Sequence, residues 1–262
     1  MSNKYLLIVE GSKTEPTIFQ QVLEKYGYNV IICKEKLELE GIGQFDRINY
    51  KSDKNNIVII QGPRNRIHDF LLAYNSNVDA IQNAFHMQYE VFQGIFLIYD
   101  VDHNSPEDIV EMYNKFNDES SGMLLLSSPC IEVLGDYNHA RNELKYNHLK
   151  GYKAELNKYY EKYKTNITEY IINNFEELCL YYLTLNKNEF NEDNILEHPR
   201  LIINSVNKYN DRINYSYDKD KSYVIYRYFT TVIYVFIAYI NGLTKEIDNY
   251  SIVKSWFESK SK

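Results

Sequence analysis

The sequence predicts an α/β domain over residues 1–138, a mostly parallel sheet with flanking helices, followed by an all-helical domain over residues 139–262. Three observations carry this reading. Five short apolar runs in the first half alternate with amphipathic stretches, the pattern of strands joined through crossover helices. Most of these runs are rich in Ile, Val and Leu and lack period-two polarity, so they read as strands buried on both faces of a sheet. After about Asn138 the apolar spacing becomes helical and no further strand run is bounded by turns. The chain has 262 residues, room for two modest domains of ~100–200 residues each.

The first strand is Tyr5–Val9. Thr14-Glu15-Pro16 has the cap-then-proline grammar of a helix start, giving a helix to about Tyr26. Tyr28–Cys33 is the second strand. Lys34–Asn56 mixes charges with Gly41 and Gly43 and supports neither a crossover helix nor a strand, so its structure stays open; an irregular stretch of that length is often functional or mobile. Strands at Ile57–Gln61, Ile95–Tyr99 and Met123–Ser127 alternate with helical stretches at Asn65–Tyr89 and from Ser105-Pro106 to Asn117. The second half reads as helices at Asn147–Tyr163, Thr168–Leu185, His198–Tyr209 and Ser222–Ile240, with a last one near Ser251–Lys260.

Composition narrows the classes. Cys33, Cys130 and Cys179 lie far apart with no paired spacing, which indicates neither a disulfide framework nor a zinc site and suits a reducing, cytoplasmic setting. Glu10, Lys13 and Glu15 interrupt the first apolar run too early for a secretory signal. The run Tyr223–Ile240 is nearly all apolar or aromatic over 18 residues, but Arg227 within it and tyrosines throughout favour a buried helix over a membrane span. Net charge is −7, and residues 1–128 hold 11 basic and 18 acidic side chains against 18 of each in residues 129–262, so the acidic excess belongs to the first half. Arg141, Lys145, Lys150, Lys153, Lys158, Lys162 and Lys164 form a local basic stretch that can meet nucleic-acid phosphates, or be an ordinary solvated helix face. Eighteen of the 26 tyrosines lie between Tyr137 and Tyr250. At helical spacing they fit a core rim better than a base-stacking surface.

The chemistry-bearing pattern lies at strand ends. Glu10 closes the first strand, and Gly11 after it lets the chain turn and a ligand approach. Ile95–Tyr99 runs into Asp100-Val101-Asp102-His103, whose two acids point to one side of an extended chain. The carboxyl ends of strands in an open α/β sheet form its binding crevice. Three carboxylates gathered there repel one another, and a divalent cation relieves the repulsion; magnesium suits a few carboxylates with waters and a substrate phosphate. Lys13 is a candidate phosphate holder or a solvated lysine, Glu15 a further ligand or a helix-dipole acid, and His103 a proton carrier or an exposed loop residue.

A glutamate after the first strand and an Asp-x-Asp after a later one resemble the toprim domain of topoisomerases, bacterial primases, OLD-type nucleases and small ribonucleases. More narrowly, Ile8-Val-Glu-Gly-Ser-Lys-Thr-Glu-Pro16, Tyr99-Asp-Val-Asp-His103 and Ser128-Pro-Cys-Ile-Glu132 resemble RloB-like and OLD-type phage-defence toprim proteins. The resemblance covers roughly Tyr5 to His139. It implies Mg2+, with Mn2+ as a substitute, held by Glu10, Asp100 and Asp102; a catalytic set of Glu10, Lys13, Asp100, Asp102 and Glu132; and cleavage of DNA or RNA, tRNA included, in antiviral defence. The metal would neutralise phosphoryl charge and activate water. Val133-Leu-Gly-Asp-Tyr137 departs from the tryptophan-containing helix that usually follows Ser-Pro-Cys-Ile-Glu and leaves the role of Glu132 open. A second reading keeps the acidic cluster in a non-cleaving sensing module that partners an ATPase. A phospho-receiver domain would want a lysine after the last parallel strand, where Ser127-Ser128-Pro129 stands.

Overall fold

A computed structural model of the chain describes residues 3–39, 43–53, 55–61, 67–87, 90–102, 104–136, 149–190 and 229–239. Eight strands form one mixed sheet: β1 (Asn3–Val9), β2 (Asn29–Leu39), β3 (Gly43–Lys51), β4 (Asn55–Gln61), β5 (Gly94–Asp100), β6 (Asn117–Asp118), β7 (Gly122–Ser128) and β8 (Phe229–Thr230). The order is β2-β3-β4-β1-β5-β7-β6, with β8 also paired to β7. The four central strands, β4, β1, β5 and β7, are parallel. Both margins are antiparallel. The central runs are buried along nearly their whole length, as continuous apolar sequence demands of strands covered on both faces.

From β1 the chain runs through α1 (Thr14–Lys25) to β2 at one margin and returns by β3 to β4, and the connections β4 to β5 to β7 lead the other way. Right-handed crossovers then put α1 on one face and α2 (Ile67–Ser76), α3 (Val78–Phe85) and α4 (Pro106–Lys115) on the other. On the second face Phe70 meets Phe85, Tyr99 and Phe116 in one aromatic cluster. α4 starts where the sequence predicts: Ser105 and Asp108 make a reciprocal capping box ahead of Pro106.

The region left open, Lys34–Asn56, holds the rest of β2 and all of β3, an antiparallel pair at the margin of the sheet. Its pattern is blurred because bulges shift the register between Val30 and Glu35. The long helix read at Asn65–Tyr89 is two helices broken at Asn77.

In the second half, α5 (Leu149–Glu161), α6 (Ile167–Asn173) and α7 (Phe175–Phe190) agree with the helical spacing, except that Thr168–Leu185 is interrupted at Asn174. Ser222–Ile240 differs more. Phe229–Thr230 is a strand that pairs with Ser127 and Ser128, and Val235–Tyr239 is a π-helical turn. An apolar run alone does not tell a buried strand from a buried helix. The second half therefore contributes to the sheet as well as to helices. His198–Tyr209 and Ser251–Lys260 lie outside the described residues. Among the described residues no helix is long and apolar enough to cross a membrane.

The two halves share one hydrophobic core. Phe236 packs on Phe19 of α1 and edge-on to Phe175 of α7. A 3-10 helix, Ile131–Asp136, follows β7, and tyrosines from the later helices tie it down. Tyr160 donates its hydroxyl to the Gly135 carbonyl, Tyr182 donates to the Val133 carbonyl, and Tyr152 donates to Asp136 Oδ2 at 3.0 Å. These tyrosines are fully buried, so their hydroxyls answer two backbone carbonyls and one carboxylate instead of water.

Tyr160→Phe and Tyr182→Phe each strand a buried carbonyl, which costs about 1–3 kcal/mol. Urea denaturation should show each single variant losing stability in that range with an unchanged slope. Full stability in both would show that these hydroxyls do not brace the 3-10 helix.

Candidate metal centre

Adjacent parallel strands whose outgoing connections run in opposite directions leave a crevice at their carboxyl ends. Here those strands are β1 and β5, and the crevice between them receives Glu10 and Asp100. The ladder extends one residue past β1, where the Glu10 N–H donates to the Ile98 carbonyl at 3.2 Å. Glu10 Oε2 in turn accepts from the Asp100 N–H at 3.1 Å. The two sequence-predicted acids thus meet at neighbouring strand ends.

Asp100 is only 9% exposed and is fixed on several sides. Its Oδ1 accepts from the Ile131 N–H at 2.8 Å, and its carbonyl accepts from Asn104 Nδ2 at 2.7 Å. The N–H groups of Val101 and Asp102 donate to the carbonyls of Ser127 and Pro129, continuing the β5–β7 pairing beyond the strand. The first turn of the 3-10 helix is therefore held against the Asp100 carboxylate, and it brings Cys130 and Glu132 with it. Asp100, Cys130 and Glu132 each offer one ligand atom, all within 4.8 Å of one another.

Glu15 is a further buried acid, 5% exposed in the first turn of α1. A Cβ on Gly11 would lie 2.0 Å from Glu15 Oε2, so only glycine lets this carboxylate tuck beneath the loop after β1. Gly11 thus serves a close approach, by a side chain of this same chain.

Repulsion and burial show in the protonation of the group. Burial first, then Asp102 and Glu15, push Glu10 up to about 8, against the pull of the Asp100 backbone hydrogen bond. Burial raises Glu15, helped by Glu132. Burial raises Asp100 far above the usual carboxylate range, and Glu15, Glu132, Asp102 and Glu10 add to it. Carboxyl groups lifted together in a crevice have donors for a divalent cation in place and too little positive charge to satisfy them.

One cation of the chain itself reaches in. Lys153 of α5 lies with its Nζ 3.3 Å from Glu132 Oε2, an ion pair without hydrogen-bond alignment. Burial pulls the lysine down, but Cys130, Glu132, Asp100 and Asp102 outweigh that and hold it above its ordinary value. The Lys153 side chain remains 47% exposed, so the pair is open to solvent screening.

Of the predicted site residues, the structure brings Glu10, Asp100 and Glu132 to one crevice. Asp102 lies close enough to act electrostatically on Glu10 and Asp100. Lys13 stands exposed at the position before α1, where its carbonyl accepts from the Thr17 N–H. His103 lies outside the described residues. Two contributors escape sequence reading. Cys130 carries no paired spacing, and Lys153 sits in a basic stretch whose charges suggest a solvated face. On α5 the buried face is Tyr152, Leu156 and Tyr160, while Lys158 and Lys162 lie on the exposed side. At 100° per residue Lys153 flanks the buried face and Lys158 points well away from it, while Lys162 is exposed just past the helix end. That stretch is two features, one facing the acids and one facing solvent.

Asp136, at the end of the 3-10 helix, is 2% exposed, and its Oδ1 has no hydrogen-bond partner among the described residues. Burial lifts it to about 7, against the Tyr152 hydroxyl that holds it down. A carboxyl raised in the folded state binds its proton more tightly there than in the unfolded chain. It therefore costs nothing below the unfolded value near 4, and it costs progressively more as pH rises toward 7, by up to about 4 kcal/mol. Asp136→Asn should gain stability relative to the parent as pH rises from 4 to 7 and level off above 7, measured by urea denaturation at each pH. A pH-independent difference would place the Asp136 pKa at its unfolded value.

Comparisons of the chain with protein families, with curated proteins and with solved structures find no match.

Proposed function

We propose that the protein is a divalent-metal-dependent phosphodiesterase that cleaves nucleic acid, DNA or RNA, through the carboxylate crevice at the ends of β1 and β5. The observation that carries this reading is the convergence of Glu10, Asp100 and Glu132 there, with Glu10 and Asp100 lifted by burial and mutual repulsion. Such a group favours a divalent cation, which when bound would neutralise phosphoryl oxygens and lower the pKa of a water. Asp100, held by the Ile131 N–H, is the natural anchor for a cation, with Glu132, Glu10 and Asp102 around it. Mg2+ or Mn2+ suits the oxygen donors. The resemblance of the strand-end acids to toprim nucleases supports the same chemistry, and with it a place in defence against phage.

The chain's own residues would divide the work. Asp100 stays fixed between two hydrogen-bonded neighbours. Glu10, pushed up to about 8, holds a proton near neutral pH and can deliver it to a leaving oxygen, or lose it to solvent where a cation takes its place. Lys153 balances part of the negative charge until a cation or phosphate arrives. Exposed Lys158, Lys162 and Lys164, with Tyr163 65% exposed among them, offer a surface for a polyanion outside the crevice.

Plasmid, single-stranded DNA and total tRNA incubated with the purified protein test this. Cleavage of at least one substrate in Mg2+ or Mn2+, abolished by EDTA and reduced at least about 100-fold in Asp100→Ala, is the expected result, in line with the usual weight of electrostatic stabilisation in catalysis. Equal cleavage by Asp100→Ala would remove the crevice from the reaction. No cleavage of any substrate despite metal uptake would favour the sensing module that partners an ATPase.

A further inference from the structure

Among the described residues, three candidate ligand atoms in the crevice lie within 4.8 Å of one another, and they are not all oxygens. We propose that Asp100, Cys130 and Glu132 form a thiolate-containing position that takes a zinc-type divalent ion in preference to magnesium, a refinement that rests on the crevice being a metal centre. Cys130 and Glu132 lie two residues apart in the turn after β7, and the N–H of Ile131 between them donates to Asp100 Oδ1 at 2.8 Å. That bond sets the aspartate over the turn and leaves its second oxygen for a cation.

The surroundings of Cys130 are unlike those of a packing cysteine. Buried free cysteines ordinarily behave as small hydrophobes. Cys130 has no solvent exposure, yet its sulfur faces two carboxylates that are themselves about nine-tenths buried. Among the described residues Glu132 Oε2 makes no aligned hydrogen bond, only the ion pair with the half-exposed Lys153, and the Glu132 carboxyl shares a side-chain hydrogen bond with Cys130, which burial and the two carboxylates hold as a thiol until a cation displaces its proton. A metal held by one sulfur at ~2.3 Å and two oxygens at ~2.0–2.2 Å in tetrahedral geometry wants donor separations of about 3.5 Å. The present separations reach 4.8 Å at most, so the donors have to draw together by up to about 1.3 Å on binding. A fourth position is left for water or a substrate oxygen.

Softness sets the selectivity. Magnesium is a hard ion that sheds water reluctantly and gains little from sulfur, whereas a thiolate favours Zn2+ and Co2+. On binding, the Cys130 S–H bond breaks as the sulfur–metal bond forms, and the proton passes to solvent. No electron is transferred.

Titrating the metal-free full-length protein with Co2+ tests this without reference to activity. Wild type should develop a near-ultraviolet thiolate-to-cobalt charge-transfer band that Zn2+ bleaches and Mg2+ does not. Cys130→Ser should lose the band and at least tenfold in Zn2+ affinity while keeping its Mn2+ affinity. Glu132→Gln, which keeps the sulfur, should retain the band with weaker Co2+ binding, and circular dichroism on each variant confirms folding. Co2+ uptake without the band, or a Cys130→Ser protein that matches wild type in Zn2+ affinity, overturns the thiolate position and leaves the carboxylate centre standing. Failure of the wild type to take up any divalent ion overturns both.

Discussion

The crowding of buried carboxyl groups at the ends of β1 and β5 is the constraint on which the rest of this structure turns. Glu10, Glu15, Asp100 and Glu132 all face a crevice in which each raises the electrostatic cost of ionising another. A fold does not collect such groups for stability, since burying a charge without a partner costs several kcal/mol. Local features make sense as accommodations to this crowding. Gly11 clears space for the Glu15 carboxylate, backbone N–H groups of Asp100 and Ile131 point at the acids, and Lys153 leans in from α5.

The same constraint explains why the 3-10 helix after β7 is so heavily braced. It supplies Glu132 and Cys130, and small shifts there would change the distances between candidate ligand atoms. Tyr152, Tyr160 and Tyr182 hold it from three points on two later helices. β8 closes against the end of β7, with the Ser127 and Thr230 hydroxyls 2.9 Å apart and the Leu126 N–H donating to Thr231 Oγ1 at 2.9 Å. Residues 149–190 and 229–239 are thus part of the support for the crevice.

Much of the frame was legible because its physics is local. Central strands buried on both faces must be apolar along nearly their whole length, and Tyr5–Val9, Ile57–Gln61, Ile95–Tyr99 and Met123–Ser127 are, with Gln61 and Ser127 polar only at the ends. Glu10 and Asp100 could be placed because an acid directly after such a run has to emerge at the carboxyl end of the sheet. What stayed hidden depends on distant partners. The β2–β3 pair lies at the sheet margin, where Lys34, Glu35, Lys36 and Glu38 break any simple alternation. Phe229–Thr230 lies within an apolar run whose composition suits a helix equally well. Cys130 and Lys153 become site residues only through the turn after β7 and the packing of α5, and neither is announced by spacing.

The central claim is that the crevice is a divalent-cation centre organised around Asp100. Electron paramagnetic resonance of Mn2+ titrated into the metal-free protein tests it directly, because bound Mn2+ loses the sharp signal of the free hydrated ion. The account predicts saturable uptake by the wild type and its loss in Asp100→Asn, a variant that keeps the shape of the side chain and can still accept from the Ile131 N–H. Saturable uptake of equal affinity and stoichiometry in Asp100→Asn would contradict it.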